Sequence, residues 1–473
     1  MMKRILGSAG LIVSLALVGS RAAAQAGRYD LERTKTVLTG IIESALAQRG
    51  IPSVSIALVK GDSIVWKAAF GYANMRTKTP ATTETIYSTG SSFKSATATA
   101  LMQLVDQGKL KLDDPVNRYL ENSRVQDRLQ SEKPVNVTHV LSHWSGLIAG
   151  AVTKPIWRRE LPKTLEQMVS TLYTVRAPET QFEYNNFAFG LAGLMVQNIS
   201  GVEYEKYLVD SLLRPLGVTT PHPVYPSPEM VEVMALPYSP GGATGQPRPV
   251  AQVHFDVYPA GDIYLRPEDM ARFLGAHLNG GMWQGRRILS EASIRKMHEP
   301  QFGGAYGFGF FIKKDDKGHT IISHGGSIPG QLANMMGDLD ARVGVYYMTN
   351  SGQIQELADA AIALLRGEDY VPIAARKSIA VDPKLLDSYV GAYELGAGAA
   401  ITITREGGTL YAQGRGLGGA ARNELLADTP SRFVVKGPDL RVSFLKNQAG
   451  LVDRLEIENY GGPITTAKKR PAQ

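Results

Sequence analysis

Residues 87–110 read YSTGSSFKSATATALMQLVDQGKL, and this stretch determines how the rest of the chain is interpreted. Apolar residues recur at helical spacing from Ala98 to Val105, so we predict a helix whose N-terminus carries Ser91. Ser91 and Lys94 form a Ser-x-x-Lys pattern, which places a hydroxyl and an amine on one helical face. The positive end of the helix dipole can stabilise negative charge beside Ser91. The stretch therefore predicts a nucleophilic serine with an adjacent amine.

The Ser-x-x-Lys pattern occurs three times, beginning at Ser91, Ser293 and Ser443. A chain of this length contains about two such matches by chance, so the pattern alone is weak evidence. Ser443 lies in the alternating run LRVSFLKN, where its side chain and that of the lysine would point to opposite faces of a strand. Ser293 lies in SEASIRKMHEP and lacks the surroundings described below for Ser91. We therefore take Ser91 as the candidate nucleophile.

A serine hydroxyl needs a base, and a lysine with a pKa of ~10.4 is mostly protonated at neutral pH unless its surroundings lower that pKa. Tyr184 in FEYNNFAFG is the candidate third group, because a phenol beside an ammonium can itself act as a base. Asn186 can orient Lys94 or the substrate. The Tyr-x-Asn pattern also occurs at Tyr72, but that copy ends a predicted hairpin before any nucleophile. Whether Lys94 or Tyr184 takes the first proton stays open.

The third block is His324-Gly325-Gly326-Ser327, directly after the strand-like HTIIS. Its glycines would let a substrate backbone lie close to a sheet edge, and a backbone N–H there would complete an oxyanion hole. A histidine at a strand end is also common in a purely structural role, with the glycines serving only the turn. The block therefore leaves two roles open, one catalytic and one structural.

Around these blocks the chain alternates between strand and helix signals. Residues 52–72 alternate β-branched and apolar side chains around a Gly61-Asp62 turn, which predicts a hairpin. Residues 112–273 favour a helical layer, and strand signals return in YGFGFFIKK, HTIISHGG and RVGVYYMTN, followed by the helix-like ELADAAIALLRG. After a charged, proline-containing stretch at 366–383, short alternating runs predict a separate all-β domain.

Composition limits the class of protein. The first residues combine Lys3 and Arg4 with an apolar run and Ala22-Ala23-Ala24, which predicts a signal peptide over 1–24 and a periplasmic or secreted protein. No later segment is long enough for a membrane span. The chain has no cysteine, which excludes disulfides and thiol nucleophiles. The net charge of +7 is spread over ordinary surface positions, so no nucleic-acid partner is expected.

Five blocks in one order resemble the serine β-lactamase and penicillin-recognising peptidase superfamily, specifically its class-C-like branch: STGSSFK, VLSHWSGL, FEYNNFAFG, PAGDIYLRPEDMARF and SHGGSIPG. The resemblance spans residues 29–366. It implies an α+β fold, in which helices flank an antiparallel sheet and a helical subdomain is added. We therefore expect a hydrolase domain over 27–375 and a small antiparallel β-barrel, lipocalin-like, over 380–470.

The same resemblance implies roles for the site residues. Ser91 would be acylated, while Lys94 and Tyr184 would share the general-base and general-acid work. Asn186 would position polar groups. The N–H groups of Ser91 and Ser327 would form the oxyanion hole, with Gly325 and Gly326 beside it. No metal or other cofactor is expected.

One position departs from the family pattern. Lactamases of this branch usually carry lysine where His324 stands, and that fixed charge is associated with a substrate carboxylate. An unperturbed histidine is mostly neutral at pH 7. Together with the C-terminal β-domain, this residue resembles the D-aminopeptidase, D-Ala-D-Ala carboxypeptidase and esterase branch. We expect a hydrolase of amides or peptides that contain D-amino acids, with a carboxylesterase, a β-lactamase or a non-turnover penicillin-binding sensor as alternatives.

Overall fold

The protein is described here by a computed structural model. It covers residues 29–150, 153–155, 164–220, 223–224, 228–239, 246–372, 377–396, 399–414, 419–436, 440–458 and 465–470. The predicted signal peptide, residues 1–24, lies outside these described residues. Among the helices that are described, none combines the length and apolar character that a membrane crossing requires.

The predicted α+β architecture is confirmed. The strands are β1 (Ser53–Lys60), β2 (Ser63–Asn74), β3 (Thr79–Pro80), β4 (Tyr87–Ser88), β5 (Thr153–Pro155), β6 (Tyr238–Ser239), β7 (Arg248–Pro249), β8 (Val253–Phe255), β9 (Tyr264–Leu265), β10 (Met282–Trp283), β11 (Arg286–Arg287), β12 (Phe311–Lys314), β13 (Thr320–Ile328), β14 (Gln331–Asp338), β15 (Val343–Thr349), β16 (Gly391–Gly396), β17 (Ala399–Glu406), β18 (Thr409–Gly414), β19 (Gly419–Ala427), β20 (Arg432–Val435), β21 (Leu440–Lys446), β22 (Val452–Glu458) and β23 (Thr465–Lys469).

The α-helices lie mainly in the first three quarters of the chain. They are α1 (Leu31–Arg49), α2 (Lys94–Asp106), α3 (Val137–Ser142), α4 (Leu165–Val169), α5 (Asn186–Ser200), α6 (Tyr204–Tyr207), α7 (Pro228–Glu232), α8 (Pro267–Leu278), α9 (Glu291–Met297), α10 (Gln355–Leu365) and α11 (Pro383–Tyr389). Short 3-10 turns add to them, and the turn over Gly90–Phe93 carries the candidate nucleophile.

A seven-stranded antiparallel sheet organises the larger part of the chain, in the order β12-β13-β14-β15-β1-β2-β3. Its centre contains β1, which pairs with β15 on one side and with β2 on the other. The predicted hairpin is confirmed, since β1 and β2 flank the Gly61-Asp62 turn. The central strand is thus joined to strands from the far end of the domain, and this pairing brings residues near 90 and 325 together.

The sheet separates two apolar cores. On one face, buried side chains of α1 and α10, such as Leu38, Ile42 and Leu357, pack against Ile56 and Tyr347 of the central strands. The other face is covered by α8, α2 and the helical part of the chain, which form the largest core. Because both faces are covered, β15 is buried along its whole length. The site described below lies at the edge of the helical side.

Strands β16 to β23 form a closed eight-stranded barrel with its own apolar core, which confirms the predicted C-terminal β-barrel. Closure is made by β16 and β23, with Tyr393 opposite Lys469. Ion pairs join the barrel to the hydrolase part; they are Arg432–Asp316 at 2.8 Å, Arg441–Asp359 at 2.9 Å, and Lys313–Glu458. Two of these pairs reach the β12–β13 hairpin, whose far end carries His324.

Candidate active site

Ser91 lies in the 3-10 turn that leads directly into α2, whose first residue is Lys94. Two backbone segments, 89–90 and 326–327, meet here so tightly that side chains would not fit between them. Gly90 has a φ of 51°, and a Cβ on it would lie 2.6 Å from the Ser327 nitrogen. A Cβ on Gly326 would lie 2.0 Å from the Thr89 oxygen. Gly326 therefore admits the chain's own backbone, where the sequence had suggested a substrate strand.

Lys94 is fully buried, although its side chain is a primary amine. Its Nζ donates to the Ser91 Oγ at 3.0 Å and to the carbonyl oxygen of Ala260 at 2.8 Å. The rings of Tyr184 and Phe189 lie 4.8 Å and 5.8 Å from the nitrogen. Burial lowers the pKa of Lys94 well below its ordinary value of 10.5. A neutral amine within hydrogen-bond distance of a hydroxyl has the geometry of a general base.

Tyr184 completes the group on the side of α5. Its hydroxyl forms a hydrogen bond with the side chain of Ser91, and burial raises the pKa of the phenol above its ordinary value of 10. The sequence had suggested that an ammonium would lower this pKa. The shift has the opposite sign because burial disfavours the phenolate, and the nearby amine of Lys94 is itself held toward its neutral form. A phenol in this environment stays protonated.

Of the two residues after Tyr184, the first caps a helix and the second lines the pocket. Asn185 is the N-cap of α5: its side-chain oxygen accepts from the Ala188 N–H at 3.2 Å. Its Nδ2 donates to the carbonyl oxygens of Leu147 and Ile148 at 3.0 and 3.1 Å. Asn186, the first residue of α5, lines the pocket beside Ser91.

His324 is buried, and both of its ring nitrogens are engaged. Nδ1 lies 2.7 Å from the carbonyl oxygen of Gly325, which can only accept, so Nδ1 carries the proton. Nε2 therefore accepts from the Tyr306 hydroxyl at 3.0 Å. Burial, with the nearby Lys94, lowers the pKa of His324 to about 3. The ring is neutral at pH 7 and supplies no cation at the position where the family usually has lysine.

A pocket of about 50 Å³ opens beside the Ser91 hydroxyl. Among the described residues, its lining carries no charged side chain and consists of Gly90, Ser91, Asn186, Phe255, Val257, Ala260, Gly261, Ser327 and Ile328. Ser327 is exposed, as access to its backbone requires. The structure thus brings Ser91, Lys94, Tyr184, Asn186, His324 and the 325–327 segment into one cleft.

One cluster among the described residues has the composition of a metal site, namely His319, Asp338 and Asp340. It lies at the start of β13, whereas His324 is in the middle of that strand. Asp338 already accepts hydrogen bonds from Arg366 and from His319. The guanidinium of Arg366 therefore supplies the positive charge at this carboxylate, and the cluster is an ion-pair network that packs the sheet against α10.

Sequence reasoning did not identify several residues around Ser91. The Ala260 carbonyl is invisible to side-chain patterns, although it lies in the recognised block PAGDIYLRPEDMARF. Tyr306 and Phe189 have the ordinary appearance of core aromatics. The ring centroid of His143 lies 4.4 Å from that of Tyr184. Only a structure could reveal these contacts, because the four residues come from four separate segments.

Together, the fold and this cleft define the class of β-lactamase-fold hydrolases. The chain belongs to the Beta-lactamase family, whose model matches residues 38–367. It is 26% identical over 431 residues to Penicillin-binding protein 4* of Bacillus subtilis (strain 168), a match that covers 82% of this chain and 89% of that protein.

Solved structures show the same fold. The octameric penicillin-binding protein homologue from Pyrococcus abyssi aligns with a TM-score of 0.61 at 24% identity, over 92% of this chain and 99% of that one. The D-amino acid amidase from Ochrobactrum anthropi SV3, complexed with D-phenylalanine, aligns with a TM-score of 0.58 at 23% identity, over 70% of this chain and 99% of that one.

Proposed function

We propose that this protein is an exported serine hydrolase that cleaves amide or peptide bonds of small substrates containing D-amino acids, through an acyl-enzyme on Ser91. The observation that carries the proposal is the 3.0 Å distance between the buried Lys94 Nζ and the Ser91 Oγ, across which a neutral amine can accept the hydroxyl proton. In this account residues 27–375 form the catalytic domain and 380–470 the barrel. The mature protein begins near Gln25 and acts in the periplasm or outside the cell.

The opposite pKa shifts of Lys94 and Tyr184 support a division of labour. Lys94, with its pKa lowered, takes the proton of Ser91 as the Oγ attacks the substrate carbonyl. The backbone N–H groups of Ser91 and Ser327 stabilise the oxyanion. Tyr184, with its pKa raised, donates its proton to the leaving amine, and Lys94 returns a proton to Tyr184. Water then attacks the acyl-enzyme as Lys94 takes one of its protons, and Lys94 passes this proton to the leaving Ser91 oxygen.

The walls of the cleft support the substrate class. A neutral His324 offers no ion pair to a substrate carboxylate, which disfavours penicillins relative to amides that carry no carboxylate. The small pocket beside Ser91 favours a compact group at this position. The preference for the D configuration rests on the resemblance and on the D-amino acid amidase among the structural neighbours.

A panel of substrates tests the proposal. Purified mature protein and the Ser91→Ala variant would be assayed with D-alaninamide, L-alaninamide, p-nitrophenyl acetate and benzylpenicillin. We expect D-alaninamide to be turned over fastest among the amides, and Ser91→Ala to be inactive on every substrate. Unchanged turnover by Ser91→Ala would refute the acyl-enzyme. Turnover of benzylpenicillin alone would refute the substrate class, and a Ser91 adduct that never hydrolyses would identify a penicillin-binding sensor instead.

A carboxylesterase is the second candidate. The uncharged lining of the pocket favours it, since an ester substrate requires the same acyl chemistry but no recognition of a charged group. The panel separates the two functions, because an esterase would hydrolyse p-nitrophenyl acetate with a kcat/KM far above that for D-alaninamide after correction for the intrinsic reactivity of the ester.

A further inference from the structure

His143 occupies an unusual backbone position directly behind the cleft. It is the C-cap of α3 and has a φ of 66°, in the left-handed region that few non-glycine residues adopt, although histidine occurs there more often than most. Its side chain is fully buried. A non-glycine residue keeps this strained backbone conformation only when its surroundings hold it there. The contacts that hold His143 are made with the segment that carries Tyr184.

His143 accepts two hydrogen bonds, one from each of the residues that flank Tyr184. The backbone N–H of Glu183 donates to the His143 carbonyl oxygen at 2.9 Å. The backbone N–H of Asn185 donates to His143 Nδ1 at 3.0 Å. The peptide groups on both sides of Tyr184 are therefore held by one residue, and the left-handed conformation at 143 is what presents the carbonyl and the ring to the same segment. Between these two anchors the phenol has little freedom to move away from Ser91.

The ring of His143 also lies between the two walls of the cleft. Its centroid lies 4.4 Å from that of Tyr184 and 4.7 Å from that of Tyr306, which in turn donates to His324. Because Nδ1 accepts a hydrogen bond, the proton of the neutral ring is on Nε2. Burial, together with Lys94 and His324, lowers the pKa of His143 well below 6.5. The ring thus acts as a neutral acceptor and spacer beside the amine.

We propose that His143 is a positioning residue for the reaction: its carbonyl oxygen and Nδ1 hold the peptide groups on either side of Tyr184 and thereby fix the phenol against Ser91 and Lys94. The inference rests on the proposed function, because it assigns His143 to the proton path of the acyl transfer. A displacement of about 1 Å in such a group lowers a rate by up to ~100-fold, so the contribution is large enough to measure.

Two amide substitutions separate the acceptor from the ring. In His143→Asn the side-chain oxygen falls close to the position of Nδ1, and asparagine tolerates the left-handed conformation. In His143→Gln the acceptor is one bond further away. We expect His143→Asn to keep kcat on D-alaninamide within about threefold of the unmodified protein, whereas His143→Gln loses ~100-fold in kcat with KM within about threefold. Equal losses in both variants would overturn the proposal, as would a wild-type kcat in His143→Gln.

His139 supplies a matched control one helical turn earlier. It is also buried, its Nδ1 accepts from the Asn136 N–H at 3.2 Å, and its Nε2 donates to Glu179 at 2.9 Å. His139→Gln should lower the melting temperature and leave kcat within about threefold, because its contacts stop short of Tyr184. If His139→Gln lost as much kcat as His143→Gln, the loss in both variants would come from general destabilisation, and the proposal would be overturned.

Ser91→Ala distinguishes failure of this inference from failure of the proposed function. If Ser91→Ala is inactive while His143→Gln has wild-type kcat, the acyl-enzyme stands and the positioning role is wrong. If Ser91→Ala retains turnover, the proposed function itself is wrong. Circular dichroism and melting temperature, measured on every variant, establish that the folded protein is being compared.

Discussion

The chain contains the same tetrapeptide pattern at the start of two helices, and only one of these two copies brings its lysine into contact with its serine. At α2 the Lys94 amine is fully buried and donates to the Ser91 hydroxyl. At α9 the Ser293 hydroxyl donates to the Asp106 carboxylate at 2.6 Å, and Lys296 donates to Glu299 at 3.1 Å. Spacing is identical in the two copies, so spacing does not decide the chemistry.

The two copies differ because carboxylates contact the serine and the lysine of the α9 copy. Each polar group of the α9 copy has an acidic partner: the Ser293 hydroxyl donates to Asp106, and Lys296 donates to Glu299. In the part of the chain that the structure describes, Lys94 has no acidic partner; its contacts are a hydroxyl, a carbonyl and two aromatic rings. Desolvation without a counter-ion lowers the pKa of an amine and makes it available as a base.

The largest expected effect is on turnover. Lys94→Ala should lower kcat/KM on D-alaninamide by ~1000-fold, because removal of a general base from an acyl transfer costs roughly two to four powers of ten. Lys296→Ala removes the matched lysine and should change kcat/KM by less than twofold. Steady-state kinetics on the three proteins measures both effects. Similar losses in the two variants would mean that the copies are equivalent after all.

The second effect is on the pH dependence of the rate. Lys94 must be neutral to accept a proton, so kcat/KM should fall as the pH drops through the lowered pKa of Lys94, well below 10.5. The raised pKa of Tyr184 predicts no loss of activity from phenol ionisation near pH 10, as long as the fold persists. A pH–rate profile that rises only near 10.5 would contradict a neutral Lys94. Lys296→Ala should leave the profile unchanged.

The smallest effect is on stability, and its sign differs between the copies. A buried amine without a carboxylate is unfavourable, so Lys94→Met should raise the free energy of unfolding by about 1 kcal/mol while it abolishes activity. Ser293→Ala should lower it by about 1 kcal/mol, because the exposed Asp106 carboxylate loses one charge-assisted hydrogen bond and keeps those from Ser290. Urea unfolding followed by circular dichroism measures both. A loss of stability in Lys94→Met would contradict the account.

Much of the fold could be predicted because its signals are local. The β1–β2 hairpin follows from alternation around Gly61-Asp62, and α10 from helical spacing. The predicted strand at 306–314 begins only at Phe311, since the preceding residues turn back and Tyr306 forms a bridge with Phe311. Strand β14 was not predicted, because QLANMMGD has neither alternation nor β-branched residues and is held by its neighbours in the sheet.

The candidate site also has a part that could be predicted from local sequence and a part that could not. Ser91, Lys94, Tyr184 and Asn186 lie in recognisable sequence blocks, and the structure brings them into one cleft. The direction of the Tyr184 pKa shift and the two hydrogen bonds that His143 accepts could not be predicted. Both depend on what fills the space around a side chain, and that space is built from segments far apart in the chain.

The account depends on Ser91 being the one serine activated by its surroundings, and intact-mass spectrometry tests this most directly. The mature protein, Ser91→Ala and Ser293→Ala would each be treated with a fluorophosphonate, and the modified protein digested to locate the adduct. We predict a single adduct on the peptide that contains Ser91 in the unmodified protein and in Ser293→Ala, and none in Ser91→Ala. Equal labelling of Ser91→Ala, or an adduct located on Ser293 or Ser443, would contradict the account.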